Sequence, residues 1–330
     1  MATLTPTVTP SPVRRAVGSR WFRLTTRLVV GAGVLIAVVV HVGTGPFLRG
    51  LLSVDGWTIA AALLLVGIAT AAAAWRWRLI ASRLGVSLPW SIALGMYYRS
   101  QFLNSVLPGG VVGDIHRAIA HGQRAENIAQ AARAVAIERT AGQVVQLTVT
   151  VPLILCFGGR FSGYLLAALA VGIAIIGLVS VIATKGGPRM RRAAFRELRE
   201  LRTGLGSTRV SLQVVAASLV VVACHLATFG IAVAAVGAEL PPLQLLVVAL
   251  VILFGAAIPL NVGGWGPREG VAGWAFALAG LGASAGVAAS TLYGILAMIA
   301  VAPGAIVILV FAARARKTKV LTASSLETTS

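Results

Sequence analysis

From about residue 26 to residue 312 the chain alternates long apolar runs with tight clusters of Lys and Arg. No soluble surface can be drawn over such runs. Of 330 residues 58% are hydrophobic and 11% charged, with a mean hydropathy of +0.90, against about 25% charged in an ordinary soluble domain. The bilayer is therefore the solvent, and helices are the economical way to satisfy backbone groups inside it. A spanning helix needs about 20 apolar residues, which places helices at about 26–43, 57–75, 138–158, 161–183, 210–236, 243–259, 270–282 and 285–312. The stretch 88–107 is amphipathic and reads as an interfacial or re-entrant helix. The expected fold is an all-α, polytopic integral membrane bundle of about eight transmembrane helices with two re-entrant or broken segments.

The basic residues test that count. With the N-terminus inside and sides alternating, 26 of the 28 Lys and Arg fall on the inner side, leaving Arg49 and Arg160 outside. That asymmetry is how membrane topology is written, and it places both termini in the cytoplasm of a cell membrane. The net charge of +19 accordingly speaks for topology and against nucleic acid. Residues 1–25 read as a disordered basic tail, 26–314 as the membrane domain and 315–330 as a second cytoplasmic tail. Residues 185–209 suit an amphipathic helix on anionic lipid. Cys156 and Cys224 lie in apolar runs and read as small hydrophobes; no disulfide, metal or cofactor is expected.

Two Pro/Gly-broken segments interrupt this pattern, "LPGGVVGDIHR" at 107–117 and "IPLNVGGWGPREG" at 258–270. Pro259 cannot donate a backbone hydrogen bond, and Gly263, Gly264 and Gly266 permit positive φ. Irregular backbone survives at membrane depth only against protein or a water-filled cavity, so 259–267 should line a cavity. Pro267 suits a first helical turn, setting Arg268 and Glu269 at a helix N-terminus. There Arg268 either snorkels to headgroups while Glu269 caps the helix, or meets an anionic headgroup while Glu269 holds it in place. In the first segment Tyr97, Gln101 and Asn104 share one helical face leading to Pro108, with Arg99 opposite; Gly113 loosens the loop, and Asp114 and Arg117 can pair at i, i+3. Substrate contacts are thus expected at Arg268, Glu269, Asn261, Asp114, Arg117, Asn104, Gln101 and Tyr97, with hinges at Pro108, Gly113, Pro259, Gly264, Gly266 and Pro303. Glu138 is expected to cap its helix or pair locally, His116 and His121 to be solvated, and His225 to be a neutral, hydrogen-bonded packing residue. The first four and last four helices, each with its broken segment, read as parallel repeats with both segments entering from the cytoplasm.

At these segments the chain resembles the lysylphosphatidylglycerol synthase transmembrane region, a flippase-like family. The family's first signature falls on Pro108, Gly113, Asp114 and Arg117, its second on Pro259, Gly264, Gly266, Arg268, Glu269 and Gly270. The resemblance implies lipid translocation, with membrane phospholipids or polyprenyl-linked lipids as partners and a cell-envelope biosynthetic enzyme as a further one. About fifteen residues follow the last helix, so synthase activity is not expected. A membrane transferase acting on lipid-linked substrates and a non-transporting scaffold of cell-envelope synthesis are the alternatives. No Walker A sequence is present, and Arg268→Ala is expected to slow lipid movement while leaving the fold intact.

Overall fold

The computed structural model describes residues 20–185, 187–256 and 265–309. The terminal-tail expectations and those at Pro259, Asn261, Gly263 and Gly264 lie almost wholly outside these residues. The described chain forms helices α1 (Arg20–Val42), α2 (Gly45–Leu52), α3 (Gly56–Arg83), α4 (Trp90–Val106), α5 (Val112–Arg124), α6 (Ile128–Phe157), α7 (Arg160–Lys185), α8 (Gly187–Leu205), α9 (Thr208–Ala235), α10 (Pro242–Ala256), α11 (Pro267–Leu278) and α12 (Ala283–Val301). After a turn at Ala302, Pro303 restarts α12, which reaches Leu309.

Among the described residues, α3, α6, α9 and α12 are long and apolar enough to cross a membrane. The end of α1 and α2, bent by 96° at their junction, make a fifth span if counted together. By contrast α10 and α11 have 15 and 12 residues, short of the roughly 20 a crossing needs. The protein is thus a multi-pass helical membrane protein.

Local signals set the ends. Asp55 caps α3, accepting from the Thr58 amide at 2.7 Å while its own amide donates to Thr58 Oγ1 at 3.1 Å. Asn127 caps α6 by accepting from the Gln130 amide at 3.0 Å. That cap starts α6 ten residues before the 138 expected from hydropathy, so Glu138 lies inside the helix and caps nothing. Nor does α4 lie apart on a surface: it packs against α3, α5 and α12, burying Ala93, Met96, Tyr97 and Ser100.

A repeat is present, though not the expected one. The lengths 28, 17, 13 and 30 for α3–α6 recur as 28, 15, 12 and 27 for α9 to the end of α12. Their contacts correspond too. The pairs α3–α4, α4–α5, α5–α6 and α3–α6 have counterparts α9–α10, α10–α11, α11–α12 and α9–α12, and between units α3–α12 mirrors α9–α6. The central helices α3 and α9 pack against one another, and both bury small residues, Ala69 and Ala73 on one and Ala217 and Ser218 on the other, the composition that lets membrane helices approach closely.

They run antiparallel. One core cluster joins the start of α3 (Ala62) to the end of α9 (Phe229, Ala232) and to α10 and α11. Another joins the end of α3 (Trp77, Ile80) to the start of α9 (Val214) and to α4 and α5. The two short-helix hairpins therefore pack at opposite ends of the bundle. This overturns the parallel repeat with both segments entering from one side. Three long helices (α3, α6, α7) separate the start of one unit from the start of the next, and an odd number inverts the second.

Candidate functional site

Glu138 is the centre of the first polar cluster. Its side chain has no exposed surface, and a carboxylate so placed must be paired and hydrogen-bonded. Oε1 accepts from Arg76 Nε at 3.1 Å, Arg76 Nη2 at 2.5 Å and the Tyr97 hydroxyl at 3.1 Å; Oε2 accepts from Arg117 Nη2 at 3.0 Å. Arg76 also donates to Ser218 Oγ at 2.7 Å, so α3, α4, α5, α6 and α9 are tied at one point. Gly142, one helical turn beyond Glu138, makes room: a Cβ there would lie 2.8 Å from the Arg76 guanidinium. Arg117 stands between the rings of Trp77 and Tyr97, at 4.5 and 4.3 Å from their centroids. These ring faces attract the cation where its Nε and Nη1 find no acceptor.

Asp114 fastens the first hairpin. It accepts from Ser100 Oγ at 3.0 Å, Asn104 Nδ2 at 3.1 Å and Arg117 Nη2 at 3.1 Å, and it pairs with Arg139. Asn104 returns the contact, its Oδ1 accepting from the Gly113 amide at 2.8 Å. Gly113 is obligatory, since a Cβ there would fall 1.9 Å from the Ser100 carbonyl oxygen. The expected Asp114–Arg117 pair thus forms.

The second cluster opens α11. Gly266, at φ +124°, takes a conformation L side chains rarely adopt, and Pro267 occupies the first turn. Both roles expected of Glu269 are met at once. Oε2 caps the helix by accepting from the Gly266 amide at 2.8 Å, while Oε1 accepts from Arg268 Nε at 2.9 Å and Nη2 at 2.5 Å. Ser290 Oγ stands 3.1 Å from Arg268 Nε and 3.3 Å from Glu269 Oε1. Arg268 does not snorkel outward. It folds inward beside the rings of Trp265 and Tyr293, at 5.6 and 5.4 Å, and against Gly294, where a Cβ would lie 2.1 Å from Nη2.

Between the clusters lie two polar cavities of about 260 and 310 Å³ that share Gln101, Asn104, Arg139, His225 and Ala256 in their walls. The first also meets Arg76, Tyr97 and Asp114; the second meets Gly110, Pro267 and Arg268. The structure therefore brings Tyr97, Gln101, Asn104 and Asp114 to the first cavity and Gln101, Asn104 and Arg268 to the second, which adjoins it. It sets Arg117 and Glu269 behind the wall, 1% and 0% exposed. Pro108 lies in the turn between α4 and α5. The interruption before Pro303 is one residue long, and Gly304 beyond it sits so near α4 that a Cβ would come within 2.3 Å of the Tyr98 carbonyl oxygen.

Sequence reasoning missed Arg76, Glu138 and Arg139. It also misplaced one histidine. His121 is buried, not solvated, with a ring nitrogen 2.8 Å from the Val86 carbonyl oxygen, and it packs edge-on against Trp77. His225 packs against Tyr293 and bonds its hydroxyl at 2.9 Å as expected, and it also lines both cavities. His116 is exposed and lies against Arg99; burial and that guanidinium hold it below its ordinary value.

Among the described residues of the clusters and cavity walls, Arg76, Arg117, Arg139 and Arg268 face three carboxylates, Asp114, Glu138 and Glu269. One positive charge is left over. Residues 24–321 match the family described as "Lysylphosphatidylglycerol synthase TM region", nearly the whole chain, and the protein belongs to that family. No curated protein and no solved structure matches the chain.

Proposed function

We propose that this member of the lysylphosphatidylglycerol synthase membrane-region family is a lipid translocase. It moves an anionic phospholipid or lipid-linked glycan between leaflets, with the headgroup in the two joined cavities. The single observation that carries the reading is the charge of those walls. Arg76, Arg139 and Arg268 line them against the one carboxylate Asp114, and the carboxylates behind leave one cation unbalanced. A phosphodiester carries one negative charge and several acceptor oxygens. Arginines, Asn104 and Gln101 can replace its water at a depth where an unpaired charge is costly.

The inverted units support the same reading. Arg78, Arg83, Arg124, Arg133 and the arginines of α8 gather at the end of the bundle where the first hairpin packs, which is the cytoplasmic end by the positive-inside rule. The first hairpin then enters from the cytoplasm and the second from the opposite face, with the cavities between them. Inverted repeats that meet at a midplane site are a common transporter architecture.

Leaflet exchange of fluorescent phospholipids in liposomes containing the purified protein tests this. Arg139 is the informative position, because it lines both cavities and its side chain is 45% exposed. Arg139→Gln is expected to slow exchange of anionic lipid about tenfold or more, the worth of one hydrogen bond to a charged group, roughly 1.5–3 kcal/mol. Equal exchange by wild type, variant and empty liposomes would remove the proposal.

A further inference from the structure

Beside the polar cavities lies a space of opposite character. Between α6, α7, α10 and α11 is a slot of about 180 Å³ whose walls are almost wholly apolar, Leu147, Phe161, Tyr164, Val251, Phe254 and Trp274 among them. Trp274 spans it, edge-on to Phe161 at 5.7 Å and to Tyr164 at 5.0 Å. Tyr164, Trp274 and Phe254 are each more than a third exposed, so the slot opens to the side of the bundle, where lipid is. It exists because α7 packs mainly against α6 and α8, leaving a gap along α10 and α11.

Slot and cavities share walls. Gly255 lines the slot and the second cavity, while its neighbours Phe254 and Ala256 face the slot and the cavities respectively. Along α6 the lining passes from Arg139, Gln143 and Gln146 in the first cavity to Leu147 and Thr150 in the slot within about one helical turn. A cation-lined chamber thus grades into a hydrocarbon-lined one across a single gap between α6 and α10. A free phosphate or a water-soluble sugar phosphate has no use for the second half, and a bulk lipid chain has none for the first.

We propose that the slot seats a hydrocarbon chain of the same lipid whose phosphate occupies the cavities, so that substrate enters and leaves sideways between α6 and α10. The inference rests on the translocase reading and adds to it a seat for the chain and a lateral path for the substrate. Burial of a chain along apolar walls is favourable by about 0.8 kcal/mol per CH₂ relative to water, but lipid tails offer the same surroundings. The slot therefore orients the chain more than it binds it.

The test is photocrosslinking of the full chain in phosphatidylcholine nanodiscs, using trace phosphatidylglycerol with a diazirine at the end of one chain. Adducts are expected to concentrate on Phe254, Trp274 and Leu147, and unlabelled phosphatidylglycerol should displace them where glycerol phosphate does not. Ala168→Trp fills the slot from an exposed position on α7 and should abolish most of these adducts while sparing those on the exposed Val40 face of α1. Slot adducts no denser than those at Val40, or unchanged by Ala168→Trp, would overturn the inference. Leaflet exchange measured on the same preparation separates the two proposals. Concentrated adducts without exchange would keep the slot and overturn translocation.

Discussion

Among the described residues, two of the buried arginine–glutamate pairs, Arg117–Glu138 and Arg268–Glu269, are built alike. Arg117 lies between Trp77 and Tyr97, Arg268 between Trp265 and Tyr293, and each meets a glutamate with no exposed surface. Yet their partners differ. Glu138 gathers donors from three other helices, whereas Glu269 is satisfied by the adjacent Arg268, its own helix start and Ser290. The first pair is a fastener of the bundle. The second is a local device that presents a guanidinium, 11% exposed, to a cavity. The same chemistry joins helices in one unit and faces a cavity in the other, and the number of elements each pair joins separates the two arrangements.

The largest expected effect breaks the fastener. Glu138→Gln leaves Arg76 and Arg117 buried without their carboxylate, which should cost about 3–5 kcal/mol; thermal unfolding in detergent would show it, and wild-type stability in the variant would refute the role. Next comes the second pair. Arg268→Ala strips the partner from a fully buried carboxylate, so a loss of stability is expected beside any slowing of lipid movement. A loss of about 1–3 kcal/mol is expected for Arg268→Ala, smaller because the arginine is partly exposed, with Arg268→Gln/Glu269→Gln recovering part of it through coupling of neighbouring sites. No recovery in the double variant would mean the carboxylate is held by its helix cap alone.

A third change sharpens the contrast from the surface. Arg133 on α6 and Glu197 on α8 form an exposed pair, Nε to Oε2 at 3.0 Å, and Arg133→Ala should shift stability by less than about 1 kcal/mol, an effect that salt reduces further. The smallest effect is one of pH. The hydrogen bond from Arg133 holds the Glu197 carboxyl below its ordinary value. Its contribution is present above the unfolded value and is lost as pH falls through the folded one, so α8 should exchange its amides faster only under acid conditions. Faster exchange on raising the pH would contradict the sign.

How much was legible follows from where the charges sit. Arg268 and Glu269 adjoin in sequence beside a proline and glycines, so hydropathy and helix-start signals find them together, and the structure places Pro267, Arg268 and Glu269 in the first turn of α11 as expected. Arg76 and Glu138 are 62 residues apart, and a hydropathy window ends at the first charge it meets. It therefore stopped α3 at 75, leaving Arg76 outside, and began α6 at Glu138, which set that buried carboxylate at a helix end where it read as a cap. The inversion was hidden for a related reason: the apolar runs 243–259 and 270–282 read as two crossings, whereas α10 and α11, of 15 and 12 residues, are too short to cross and pack against one another.

Gly142 and Gly294 each support an arginine from below, leaving no room for a methyl group. A reader of variants would rank glycine to alanine at either position as benign, since it alters neither charge nor hydropathy and favours helix. Here the added methyl group would meet a guanidinium that has to shift to make room, so an arginine–carboxylate pair is disturbed by a change that touches neither of its residues.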